Sequence, residues 1–228
     1  MQKKDIRKFS KMIDRRWSKK KHKYYNDRDA SKFDFNLSLK NLSTVYSILN
    51  KEKLTFWLTD GFLLAAYRDK DFLPWDNEID IDMFEEDLLS SYKRLKKVFM
   101  YKRFIVRGHN DKQCCKVNLF RYKTKVSIRG LFLDSSYEDD YYRMSRVYRY
   151  PKHFFDKFDT VEFKGMTFKT PYPIEEYLEY VFGSGWTVPD SNKDAMKQEW
   201  TDRGVRRSPE DRAERVFNDT KKRKSSTD

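Results

Sequence analysis

Residues 76–82 read Asp-Asn-Glu-Ile-Asp-Ile-Asp, and no other stretch restricts the fold as strongly. Successive side chains of a β-strand point to opposite faces. A strand here therefore buries Ile79 and Ile81 on one side and sets Glu78, Asp80 and Asp82 along the other, with Asp76 continuing the same spacing. Carboxylates this close repel one another, and the repulsion grows as water is excluded. A divalent cation relieves it, and hard oxygen ligands at this density suit magnesium or manganese, held partly through substrate phosphates. Three plainer readings stand beside that one: a solvated sheet edge, a calcium loop, and structural ion pairs with the chain's Lys and Arg. The calcium loop needs Gly at its sixth position and Glu at its twelfth, where this chain has Ile81 and Asp87.

The surroundings of the acidic strand add an ordered layout. Thr55 to Leu58 reads as a short buried strand ended by Asp60-Gly61, and Phe62 to Arg68 as a short helix. Asp69 to Trp75 reads as a loop punctuated by Pro74. Residues 78–84 form the acidic strand, and Glu85 to Phe99 an amphipathic helix with acidic residues in its first turn, as the helix dipole prefers. Strand, glycine turn, helix and acidic strand in that order is the layout of nucleotidyltransferase-type sites. There the glycine lets backbone N–H groups approach a phosphate at a helix N-terminus, and the acidic strand sets a metal against it.

The rest of the chain reads as one mixed domain over residues 33–200. An amphipathic helix spans 37–49, and strands cover 104–106, 116–122 and 125–133. A hairpin over 160–170 turns at Lys164-Gly165, and a helix runs from Pro173 to Phe182. Residues 1–32 form a basic, helical segment, and 201–228 a charged, partly disordered tail. The 49 Lys+Arg against 36 Asp+Glu leave a formal charge of +13, which attracts phosphate-bearing partners without choosing among nucleic acid, nucleotides and an anionic membrane surface. Cys114 and Cys115 are adjacent, so on a strand they face opposite ways and form no ordinary disulfide. His22, His109 and His153 show no metal-ligand spacing. No apolar run follows Met1 or reaches the length of a bilayer, so a cytoplasmic protein, at most peripheral to a membrane through its basic ends, is expected.

Phe56-Trp57-Leu58, Gly61-Phe62-Leu63-Leu64, Tyr67-Arg68 and Phe72-Leu73-Pro74-Trp75-Asp76-Asn77-Glu78-Ile79-Asp80-Ile81 closely resemble the LicD family, which includes phosphocholine transferases, fukutin and fukutin-related protein. The likeness spans roughly residues 40–190. It recurs at Tyr150-Pro151 and Phe154, and near the C-terminus from Pro171 through Tyr180-Val181-Phe182-Gly183 to Trp186 and Pro189. It implies an α+β fold, a nucleotidyltransferase-like mixed sheet flanked by helices. It also implies transfer of a phosphorylated group, of the phosphocholine or polyol phosphate type, from a CDP-linked donor to a hydroxyl of a glycan or glycolipid, as in lipopolysaccharide biosynthesis. By position, Asp76, Glu78 and Asp80 match the family's metal-binding acidic motif, Gly61 its phosphate-turn glycine, and Arg68 its arginine on the following helix.

Phe62 stands where the family usually has Ser or Thr. Glu78 stands where it has Asp, and Asp82 replaces a small residue. The family's later strand carries an aspartate ahead of an aromatic. Ile128-Arg129-Gly130-Leu131-Phe132 has none, which leaves Asp134 or Asp82 as general base. The expected roles are thus magnesium or manganese on Asp76, Glu78 and Asp80, catalysis by Asp80, Glu78, Asp134 and Arg68, and donor contacts from Gly61, Arg68 and Trp75. Two rivals remain: an RNA or nucleotide nucleotidyltransferase, with nucleic acid ranked below the CDP donor, and a non-catalytic relative that binds glycans or regulates a partner.

Overall fold

Asp34 opens the first helix, α1 (Phe35–Lys51), by accepting the Leu37 N–H at 2.9 Å. Its Leu42, Val45, Ile48 and Leu49 form the buried stripe that the helical period requires. The computed structural model describes residues 34–189, apart from 75, 77, 111–114, 135–140 and 144–148. The expected basic N-terminal helix, the charged tail, Trp75 and Cys114 lie outside the described residues.

Strand β1 (Phe56–Leu58) is buried throughout. Helix α2 (Asp60–Leu64) follows and widens into a π-helical turn, Ala65–Asp69, that stops at left-handed Lys70. The helix begins two residues before the expected Phe62, because Thr59 is extended and its carbonyl accepts the Leu63 N–H at 3.1 Å. Next come β2 (Ile79–Phe84), α3 (Glu85–Tyr101), β3 (Ile105–Asn110), β4 (Cys115–Arg121) and β5 (Thr124–Asp134). Short strands β6 (Tyr141–Arg143) and β7 (Arg149–Pro151) precede a 3₁₀ turn, Lys152–Phe155. The hairpin β8 (Phe158–Phe163) and β9 (Met166–Pro171) leads into α4 (Ile174–Phe182). Lys164 and Gly165, at φ 49° and 78°, make the hairpin turn expected there.

The main sheet runs β3-β4-β5-β2-β1-β9-β8, with β6 added to β5 and β7 to β6. β2 is parallel to β5 and β1 is parallel to β9, while the other pairs are antiparallel. This is the mixed sheet flanked by helices that the sequence anticipates. β2 lies at its middle, hydrogen-bonded on both sides, which removes the solvated-edge reading of the acidic strand. Ile79, Ile81 and Met83 are fully buried. Helix α3 crosses their side of the sheet so closely that a Cβ on Gly130 would lie 3.2 Å from Glu85 Cα. Aromatics fill the core around fully buried Trp57, whose ring centroid is 4.9 Å from Phe84, 5.0 Å from Phe158 and 5.5 Å from Phe155.

Candidate active site

The polar face of β2 is closed from below by one guanidinium. Parallel register sets Arg129 of β5 beside Asp82 and Ser127 beside Asp80. Arg129 Nε donates to Asp82 Oδ1 at 2.6 Å and Nη1 to Asp80 Oδ2 at 3.2 Å, and Nη2 lies 2.9 Å from Asp60 Oδ2. Asp60 begins α2 at φ 50°, a left-handed conformation that costs a non-glycine residue energy. Its Oδ1 accepts from Tyr150 Oη at 3.0 Å and Tyr177 Oη at 3.3 Å, and Tyr177 also meets Thr59 Oγ1 at 2.6 Å. One buried cluster thus ties β5, β2 and the start of α2, fixing the Gly61 turn against the acidic strand.

Depth separates the carboxylates. Asp82 is fully buried, and loss of water pushes its carboxyl up to about 7 despite Arg129. Burial also works against charge on Asp80, but Arg129, then Lys116 and Lys125, outweigh it and hold that carboxyl below its usual range. Ser127 donates to Asn118 Oδ1 at 3.1 Å, and the buried Asp80 Oδ1 has no hydrogen-bond partner among the described residues. Asp76 sits at the mouth, accepting the Glu78 N–H on Oδ1 at 3.0 Å. Desolvation, then the charges of Asp80 and Glu78, raise its carboxyl to about 7. A Cβ on Gly61 would stand 2.9 Å from Asp76 Oδ2, so the glycine keeps open the gap into which that carboxylate projects. Glu78 is held by Lys125, Nζ to Oε1 at 2.5 Å.

Among the described residues no three His, Cys, Asp or Glu side chains are arranged to hold a metal ion by themselves. The two carboxylates without a cation on their inward oxygens, Asp76 Oδ2 and Asp80 Oδ1, are hard donors and fit magnesium or manganese. Such an ion is ordinarily held by one or two carboxylates with the remaining positions filled by water and phosphate.

Arg68 and Asp134 stand outside this cluster. Arg68 is turned to the C-terminal segment: Nε and Nη2 take Asp69 in a bidentate pair at 2.9 and 2.7 Å, and Nη1 donates to the Trp186 carbonyl at 3.0 Å. Trp186 itself packs on Tyr67, ring centroids 5.9 Å apart. Asp134 ends β5, paired with Tyr141 and three residues beyond the last β2 partner, Leu131, which is roughly 10 Å along the strand. Asp82, the other base considered, is sealed from solvent. Asp60, Lys125, Arg129, Tyr150 and Tyr177 were not anticipated. Three had a sequence signal without a role: Asp60 beside the Gly61 turn, Tyr150 within the family likeness, and Arg129 where a later-strand carboxylate was sought.

Residues 53–173 match the LicD family model, described as LicD/FKTN/FKRP, nucleotidyltransferase domain. The human ribitol 5-phosphate transferase FKRP is 24% identical over 150 residues, 62% of this chain and 30% of that protein. The human ribitol-5-phosphate transferase FKTN is 25% identical over 175 residues, 73% of this chain and 37% of that protein. The chain therefore spans about a third of the length of these relatives. The solved antibiotic-resistance factor ANT(2'')-Ia aligns with 73% of this chain and 82% of its own at 10% identity, with a TM-score of 0.47. The family match covers more than half of the sequence and contains every residue from the Gly61 turn to Arg129 and Tyr150, so the chain belongs to the LicD family.

Proposed function

We propose that this chain transfers a phosphorylated group, of the ribitol phosphate or phosphocholine type, from a CDP-linked donor to a hydroxyl of a glycan or glycolipid. The observation that carries the reading is the approach of Asp76 Oδ2 to the Gly61 turn, 2.9 Å from where a Cβ would stand, beside a strand on which Asp80 keeps an oxygen without a hydrogen-bond partner. Asp76 and Asp80 would hold magnesium or manganese, with Glu78 available as a third ligand when Lys125 releases it. The bound ion would neutralise charge on the donor diphosphate. Gly61 leaves room for that diphosphate beside Asp76, and the buried Arg129 cluster keeps the turn and strand in register. The acceptor oxygen forms its bond to the outer phosphorus as the bridging P–O bond breaks, and cytidine monophosphate leaves with that electron pair. A base outside the buried cluster takes the hydroxyl proton, since Asp82 is out of reach.

A thermal-shift panel of CDP-ribitol, CDP-choline and CDP-glycerol, each with and without manganese, tests the donor class. A true donor at a hundredfold excess over Kd adds about 2.7 kcal/mol of stability. No shift with any conjugate removes the reading. Gly61→Ala supplies a local check. Its methyl would displace the Asp76 carboxylate, so CDP affinity measured with manganese should fall at least tenfold, about 1.4 kcal/mol. Stability should change by less than about 1 kcal/mol, since alanine favours the helix.

One observation favours a second reading, a non-catalytic relative that binds without turnover: Glu78 and Asp80 each already carry a protein cation. That reading predicts a thermal shift with CDP conjugates but no cytidine monophosphate release with any acceptor.

A further inference from the structure

The site contains its own cations, and their placement has a consequence for how an external one enters. Lys125 Nζ sits on Glu78 Oε1 at 2.5 Å, with the lysine side chain only 19% exposed. Arg129 Nη1 sits on Asp80 Oδ2 at 3.2 Å, with the arginine side chain 8% exposed. Both come from β5, the strand beside β2, and alternation puts them on the same face as Asp80. Lys116 of β4 lies in register with Arg129 and adds positive charge toward Asp80. Of the motif's three carboxylates, Asp76 alone has no cation in contact among the described residues.

An ion arriving alone thus meets two of the motif's carboxylates, Glu78 and Asp80, already paired with protein cations. It also finds too few ligands, since no three acidic side chains among the described residues converge on one point. A diphosphate changes both terms. Its oxygens complete the coordination that magnesium and manganese prefer, and its negative charge offers Lys125 a second anion a short side-chain swing away.

We propose that Lys125 makes metal uptake conditional on the donor. It occupies Glu78 in the empty site and moves to the diphosphate when donor and metal enter together, freeing Glu78 as a ligand. This rests on the transferase reading above. It adds an order of assembly that the acidic motif by itself does not contain: the ion and the nucleotide are taken up cooperatively. By linkage, whatever factor CDP adds to metal affinity, metal adds to CDP affinity.

The test measures manganese binding to the full chain by loss of the free-ion electron paramagnetic resonance signal, with manganese alone and with saturating CDP. Wild type should bind manganese at least tenfold more tightly with CDP. Lys125→Ala should bind manganese alone at least tenfold more tightly than wild type, and its gain from CDP should shrink by a similar factor. Lys125→Gln keeps the stem without the charge and should behave the same way, which guards against a packing defect in the alanine variant. Manganese and CDP that bind independently in wild type overturn the inference while leaving the transferase reading in place. So does unchanged metal-only affinity in both variants. If neither probe binds under any condition, both readings fall.

Discussion

Arg129→Met should cost about 3–5 kcal/mol of stability, the range for removing one partner of a buried ion cluster. It should lower the melting temperature on the order of 10 °C. Methionine replaces the aliphatic stem but not the guanidinium, so some packing is lost, and most of the cost comes from charge. Asp60 and Asp82, 6% and 1% exposed at their side chains, lose the guanidinium that compensates both, and Asp80 loses it as well. Lysine is no full substitute: it carries the charge but not the planar fork whose three nitrogens face three different carboxylates. Arg129→Lys should therefore fall between wild type and Arg129→Met. Pairing Arg129→Met with Asp82→Asn should recover part of the loss, because the double variant no longer strands that carboxylate. Denaturant unfolding in metal-free buffer checks all four proteins. A loss below about 1 kcal/mol in Arg129→Met would mean the cluster does not hold the site together.

The contrast between this cluster and the acidic strand marks how far the sequence could be read. Alternation of Ile79 and Ile81 with Glu78, Asp80 and Asp82 is a local property of seven residues, and the strand came out as written. The Lys164-Gly165 hairpin, the helix after Pro173 and the α3 helix starting at Glu85 were legible for the same reason: each is decided within a few residues. Arg129 meets Asp82 from 47 residues away, and Tyr150 and Tyr177 reach Asp60 across 90 and 117 residues. No periodicity carries such pairings, which depend on sheet order and register. Arg68 shows the converse limit. Its helical position matches the family motif, yet its guanidinium is taken by Asp69, the next residue, and by a carbonyl 118 residues on. A local pattern names the residue type at a position; where the side chain points is decided by what the fold brings against it.

Asp80 and Asp82 are two residues apart on one face of one strand, and exchanging each for asparagine should separate them completely. Asp82 is sealed beneath Arg129, with its Oδ1 accepting from Nε at 2.6 Å and its Oδ2 buried. It cannot touch a ligand. Asp82→Asn keeps an acceptor for Arg129 but weakens a charge-assisted bond, so it should lose about 1–3 kcal/mol of stability. Its kcat should stay within a few-fold of wild type at a temperature where it remains folded. Asp80 is 23% exposed at its side chain, against 1% for Asp82, although its own unpartnered Oδ1 is buried. Asp80→Asn leaves an amide oxygen for Arg129 Nη1, so stability should change by less than about 1 kcal/mol. The neutral amide is a poor ligand for a hard cation and offers no charge where the donor diphosphate must be countered. Losses on the order of a thousandfold in kcat follow when one such electrostatic group is removed from a preorganised site. Release of cytidine monophosphate from the donor found in the thermal-shift panel measures the activity, and denaturant unfolding of the same preparations measures the stability. If both variants lose activity together, depth on the strand does not divide catalytic from structural carboxylates. If Asp80→Asn stays active, the mouth formed by Asp76, Gly61 and Asp80 is not where transfer occurs.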